Sequence, residues 1–142
     1  MEDDVEFVED PRQLSDFLTQ LSHWDPDWDV FYTDTDFRDE NNGYIRSLST
    51  DFPPSMKDNQ VLDFTERINI NDDLMQIRSR FGTYSMLISR NGIRKILDYF
   101  TTHPFWTAID IEIHYIPTLR EYACRRDIVS NLRHSWSDTE KK

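Results

Sequence analysis

Three carboxylates stand in a row near the start of the chain, Glu2, Asp3 and Asp4, directly before the alternating apolar residues Val5 and Phe7. Carboxylates at the end of a strand can hold a hard divalent cation, Mg²⁺ or Mn²⁺, and leave coordination positions open for a substrate diphosphate. A second set, Asp34 and Asp36, follows the apolar run of WDVFYTDTDF and offers the same chemistry. On spacing alone the two are level, and in so acidic a chain both also read as solvated charge. A calcium loop begun at Asp34 fails its pattern, because its fifth position is Arg38, its sixth Asp39 instead of Gly, and its twelfth Ile45 instead of Glu. A looser calcium set of Asp34, Asp36, Asp39 and Glu40 remains as a further reading.

Asp110 and Glu112 form the other carboxylate pair. In AIDIEIHYIP the isoleucines alternate with polar residues as in a strand, which would put both acids on one face as base and acid. The segment length and the preceding Pro104 equally allow a short helix. His114 and His134 lie near Glu112 and Asp138, but no spacing suggests zinc. A serine nucleophile elbow is missing. The three glycines, Gly43, Gly82 and Gly92, are too scattered for a GxGxxG or P-loop cradle. The tight basic pairs, Arg78 with Arg80 and Arg125 with Arg126, read as a phosphate clamp or as charge balance. Cys124 is the single cysteine, so it forms no internal disulfide and reads as a core residue of a protein in a reducing compartment.

The 142 residues suit one domain, and 37% hydrophobic content with 13% aromatics is too much apolar surface for a disordered tail. The net charge of −11 repels a phosphate backbone, which argues against nucleic acid as a partner. No apolar run approaches the roughly 20 residues of a membrane span, and no signal-peptide pattern opens the chain, so the expected location is cytoplasmic.

Positioning these groups requires a strand over residues 4 to 8, then a helix capped by Asp10 with Pro11 at its first position, running to about Trp24. Trp28 to Thr33 reads as a strand ending at Asp34. Residues 35 to 60 read as one long irregular loop. Leu62 to Ile70 alternates loosely, and Thr83 to Ser89 reads as a buried strand. A helix follows with Ser89 or Asn91 as cap and Ile93, Ile96, Leu97 and Phe100 on one face. Arg120 to Val129 reads as one further strand. The expectation is α/β, with about five strands and two or three helices.

Four blocks in order, EDDVEF, RFGTYSMLISRNGIRKIL, AIDIEI and RRDIVSNLRHSWSDT, resemble glycosyltransferase family 25, of the lipopolysaccharide-biosynthesis and procollagen-galactosyltransferase type. The resemblance touches nearly the whole of residues 1–142, loosely over 35 to 75. It implies a GT-A-like, Rossmann-type α/β sandwich and a metal-dependent inverting transfer of sugar from a UDP-sugar to a saccharide acceptor in lipopolysaccharide, lipooligosaccharide or surface glycan synthesis. Glu2, Asp3 and Asp4 then become the metal motif for Mn²⁺ or Mg²⁺, with Asp4 the direct ligand. Asp110, with Glu112 second, becomes the base or acceptor contact. Gly82 and Thr83 would lie beside the donor sugar, and Ser137 and Asp138 would close the site. The partners implied are a nucleotide-sugar and a saccharide acceptor, with peripheral membrane contact through the acceptor. Two departures stand out: Tyr84 replaces a histidine of many relatives, and the nucleotide-binding half that precedes the motif in such enzymes is missing here. The chain thus reads as the C-terminal part of a transferase, with open strand edges. The alternative is a truncated non-catalytic remnant or acidic interaction module.

Overall fold

The computed structural model describes residues 5–38, 41–44, 48–49 and 62–131. In chain order the elements are β1 (Val5–Phe7), α1 (Gln13–Trp24), β2 (Val30–Tyr32), β3 (Leu48–Ser49), β4 (Leu62–Asp63), β5 (Arg67–Asn69), β6 (Leu74–Ile77), β7 (Met86–Ile88), α2 (Arg90–Thr102), α3 (Ile109–Glu112) with a 3₁₀ turn over Ile113–Tyr115, β8 (Glu121–Cys124) and β9 (Val129–Asn131). Five strands form one sheet in the order β5-β6-β8-β2-β7, and β1-β9 and β3-β4 form two small ribbons. The large sheet is mixed: β2 and β8 run parallel, and its other pairs are antiparallel.

Burial on both faces explains why the β2 segment is a continuous apolar run. Phe31 joins Leu74, Tyr122 and Cys124 on one face, beneath Phe17 and Leu21 of α1. Val30 and Tyr32 join Met75, Ile77 and Ala123 on the other, where Met86, Ile88 and Ile96 of α2 pack. The alternation is the period-two geometry of a pleated strand. Cys124 is a buried core residue, as its composition context suggested, and burial first of all pushes its thiol pKa up.

Asp10 does not cap α1 directly: Arg12 stands at the cap position with no side-chain cap bond, and Asp10 Oδ1 instead accepts the Arg12 N–H at 2.9 Å in the turn before it. The first turn is wound by i→i+3 bonds from Gln13, Leu14 and Ser15, so the regular helix begins two residues late. Ser89 caps α2, its Oγ accepting the Gly92 N–H at 3.0 Å. Gly92 is required there, because a Cβ would stand 2.5 Å from the Asp29 carbonyl oxygen.

Several expectations need correction. Thr83 to Ser89 does not form a buried strand: β7 is an edge strand with Leu87 exposed. Ile93 and Leu97 are exposed although they share the apolar face of α2, because the sheet is too narrow to cover them. The single strand over Arg120 to Val129 is two strands in different sheets, broken at Arg125 to Ile128. Leu62 to Ile70 is likewise two strands, and β6 was missed. Within residues 35 to 60, the described part holds β3 and a bridge between Arg38 and Tyr44. Of the two readings open for AIDIEI, strand or short helix, the short helix is the one formed.

Candidate functional site

The carboxyl ends of the parallel pair β2 and β8 face the same way, and the chain leaving β2 there carries Asp34, Thr35 and Asp36, all buried. Asp34 takes both ends of the Arg80 guanidinium, at 2.8 Å to each oxygen, and the Tyr84 hydroxyl at 2.5 Å. Two parallel N–H···O bonds are the strongest form of this pair. Burial opposes the charge on Arg80, but Asp34 outweighs it and holds the pKa above its usual value. Burial, and next the Asp34 carboxylate, push the Tyr84 hydroxyl pKa well up. The guanidinium also lies 4.5 Å from the centroid of the Tyr32 ring.

Behind it, His114 Nδ1 meets Glu121 Oε1 at 2.9 Å, and Glu121 Oε2 accepts the Tyr32 hydroxyl at 3.0 Å. His114 Nε2 lies 3.2 Å from the Arg80 N–H and 3.1 Å from the Arg80 carbonyl oxygen, so the ring bridges Glu121 and the Arg80 backbone.

Asp36 sits at φ 79°, in the left-handed region where short acidic side chains are tolerated. Its Oδ1 accepts the backbone N–H groups of Phe37 and Phe81 at 2.8 and 3.2 Å, and its Oδ2 accepts Arg67 Nη2 at 2.5 Å. Burial raises its pKa against the pull of Arg80 and Arg67. Thr35 ties the end of β2 to the turn after β8, donating its N–H and hydroxyl to Asp127 Oδ1 at 2.8 and 2.7 Å.

Above this base opens a cavity of about 300 Å³ lined by Thr35, Asp36, Phe37, Arg38, Asn42, Tyr84, Asp127 and Ser130. Arg38 is held at its rim by the Asn42 carbonyl at 3.0 Å, with its guanidinium 4.6 Å from the Tyr44 ring centroid. Carboxylate, amide and guanidinium groups beside the aromatic pair Phe37 and Tyr84 suit a polyhydroxylated ligand, whose hydroxyls both donate and accept.

Of the residues singled out in the sequence, Gly82 and Asp110 come together: the Gly82 N–H donates to Asp110 Oδ2 at 3.2 Å. Gly82 has φ +72°, and a Cβ there would meet the Phe37 ring at 3.3 Å, against the cavity wall. Thr83 follows it, half-buried. Glu112 does not join Asp110. In α3 two residues are about 200° apart around the helix, and Glu112 is fully buried, its Oε2 accepting the N–H groups of Trp106 and Thr107 at 2.8 and 2.9 Å. The shared strand face expected for the two acids is therefore replaced by a helix that separates them.

Glu2, Asp3, Asp4, Ser137, Asp138, His134, Asp39 and Glu40 lie outside the described residues. Val5, which follows Asp4, is the register partner of Asn131, and Asn131 neighbours Ser130 of the cavity.

Among the described residues no group of three His, Cys, Asp or Glu side chains is placed to hold a metal ion. Asp34 and Asp36 are corrected as metal or calcium ligands, since guanidinium groups already occupy their oxygens. The divalent ion implied by the resemblance would have to be held by Glu2, Asp3 and Asp4.

Arg80 and the other basic pair serve charge balance: Arg125 and Arg126 face Asp72 and Asp73. The roles of Arg67 and Arg80 escaped the sequence reading because their partners lie 31 and 46 residues away. Asn42 and Tyr84 carried no spacing signal of a cavity. No family model, curated protein or solved structure matches this chain.

Proposed function

We propose that the chain is a metal-dependent inverting glycosyltransferase of the family-25 type, moving a sugar from a UDP-sugar to a saccharide acceptor in surface glycan synthesis. The observation that carries this reading is the polar, aromatic-walled cavity at the carboxyl ends of β2 and β8, the edge at which open α/β sheets gather ligands. Gly82 stands against its wall and donates its N–H to Asp110, and β1, which follows the acidic triplet, is hydrogen-bonded to the strand bearing Ser130. In this reading Asp127, Asn42 and Tyr84 orient saccharide hydroxyls, Asp110 accepts the proton of the attacking hydroxyl, and Glu2, Asp3 and Asp4 hold Mn²⁺ or Mg²⁺, which would stabilise the departing diphosphate.

One observation favours the alternative, a non-catalytic remnant or acidic interaction module. Glu112 is fully buried with its Oε2 held by two backbone N–H groups and does not meet Asp110, so Asp110 has no second acid beside it. Calorimetric titration with Mn²⁺ and UDP-hexoses separates the two. The transferase reading expects Mn²⁺-dependent binding that weakens about tenfold or more in Asp4→Asn, and saccharide binding that weakens similarly in Asp127→Ala. Binding that is unchanged in Asp4→Asn removes the metal role, and no binding of any UDP-hexose leaves the interaction module as the better account.

A further inference from the structure

A second cavity opens at the other end of β8 from the candidate site, and the two share no lining residue. It lies where β8 begins at Glu121 and β6 ends at Ile77, the register partner of both Glu121 and Arg67 of β5. The space is about 130 Å³. Its charged lining is Glu66, Arg78 and Glu121, and its apolar lining is Ile68, Ile77 and Leu119.

Glu121 is held in a fixed position. It is 4% exposed; its Oε1 meets His114 Nδ1 at 2.9 Å and its Oε2 accepts the Tyr32 hydroxyl at 3.0 Å. A carboxylate has more lone pairs than these two contacts use, so it can still accept a donor from the cavity. Glu66 and Arg78 are exposed, and among the described residues their side chains make no hydrogen bond or ion pair, with each other or with Glu121. By contrast, Arg67, Arg80 and Arg120 are each paired with an aspartate. Ile68 is also left 56% exposed at the cavity.

Charge and size narrow what could fill this space. A cation alone would satisfy the carboxylates and leave Arg78 unpaired, and an anion alone would meet two carboxylates. A ligand with one ammonium and one carboxylate group answers all three side chains. An engineered apolar cavity of about 150 Å³ takes benzene, so the body between the charges and the apolar wall is a short aliphatic chain. Such a zwitterion has no net charge, and the −11 of the chain neither draws nor repels it at long range.

We propose that this cavity binds a small aliphatic α-amino acid, its ammonium group on Glu66 and Glu121, its carboxylate on Arg78 and its side chain against Ile68, Ile77 and Leu119. Titration with L-valine to about 10 mM, followed through the backbone amide resonances, tests this in a range that captures millimolar affinity. The expected result is saturable shifts centred on Ile68, Ile77 and Leu119 that persist in about 0.5 M salt, where loose attraction of amines to an acidic surface is screened. Isobutylamine and isovalerate, which each lack one of the two charges, should bind about tenfold more weakly or worse. Arg78→Gln and Glu66→Gln should each weaken valine by a similar factor with the melting curve unchanged, since both side chains are exposed. No saturable shift, shifts centred elsewhere, isobutylamine or isovalerate binding as tightly as valine, or valine binding indifferent to either substitution would each overturn the proposal.

Discussion

At the amino end of β2, Asp29 is bound on every side by groups that hold the fold, whereas at the carboxyl end Asp34 and Asp36 use their contacts to build the floor of a cavity. Asp29 is fully buried; its Oδ2 accepts Lys95 Nζ at 2.6 Å and the Arg120 N–H at 2.8 Å, and its carbonyl accepts the Ser89 N–H at 2.8 Å. One residue, through its carbonyl and its side chain, thereby joins β2 to α2 and to the start of β8. The cation at this end, Lys95, keeps about a quarter of its side chain in solvent. At the far end Arg80 and Asp34 are each 1% exposed, and Tyr84, which completes the contact, also lines the cavity. The difference teaches that a buried acid is not by itself a mark of chemistry. What distinguishes the two ends is whether the groups that neutralise the acid also face an open volume.

Removing one partner at the carboxyl end should produce the largest effect. Arg80→Met leaves Asp34 buried without its cation and should cost about 3–5 kcal/mol of stability in urea unfolding. Adding Asp34→Asn to Arg80→Met should recover part of that loss, because the uncompensated charge is then gone. A loss under about 1 kcal/mol would mean that water reaches Asp34, and the contrast between the two ends would collapse.

The amino end should be less costly to break. Asp29→Ala strips Lys95 and the Arg120 N–H of their acceptor, for an expected loss of about 2–3 kcal/mol by the same unfolding measurement. Because Lys95 can turn to solvent, the order of the two variants, and not only their size, checks the comparison.

Tyr84→Phe should cost least, about 1.5–2 kcal/mol at neutral pH for one hydrogen bond to a charged acceptor. Its signature lies in the pH dependence. Burial and then Asp34 raise the Tyr84 pKa in the folded state, while the unfolded chain ionises near 10. The stability contributed by Tyr84 is thus fully present below about pH 10 and is lost as pH rises beyond it, since the unfolded state then sheds its proton first. Unfolding free energies measured across that range should fall less steeply in Tyr84→Phe than in the parent. Parallel slopes would show that Tyr84 ionises freely and is not held by Asp34.

The elements marked by local chemistry were legible in the sequence. Asp10 with Pro11 announced α1, Ser89 announced α2, and the apolar run before Asp34 announced β2. Elements without such a mark were not: β6 is four residues with no cap or apolar period of its own, and the break at Arg125 to Ile128 holds no proline or glycine. At the candidate site, the bond from the Gly82 N–H to Asp110 carried no signal in the sequence, and the pairing of Glu112 with Asp110 failed because alternation in AIDIEI fits both a strand and one turn of helix.

By itself the sequence determined which groups exist and what lies within a few residues of each: caps, apolar periods, a carboxylate-free stretch, a net charge of −11. Only the tertiary structure decided which acids are neutralised and which face an open volume. Asp34 finds Arg80, Asp36 finds Arg67 and Thr35 finds Asp127 across 46, 31 and 92 residues. Those distances close because the sheet sets β2 beside β8 and β7, and a charge in a folded chain responds to neighbours in space, through a dielectric that burial has lowered.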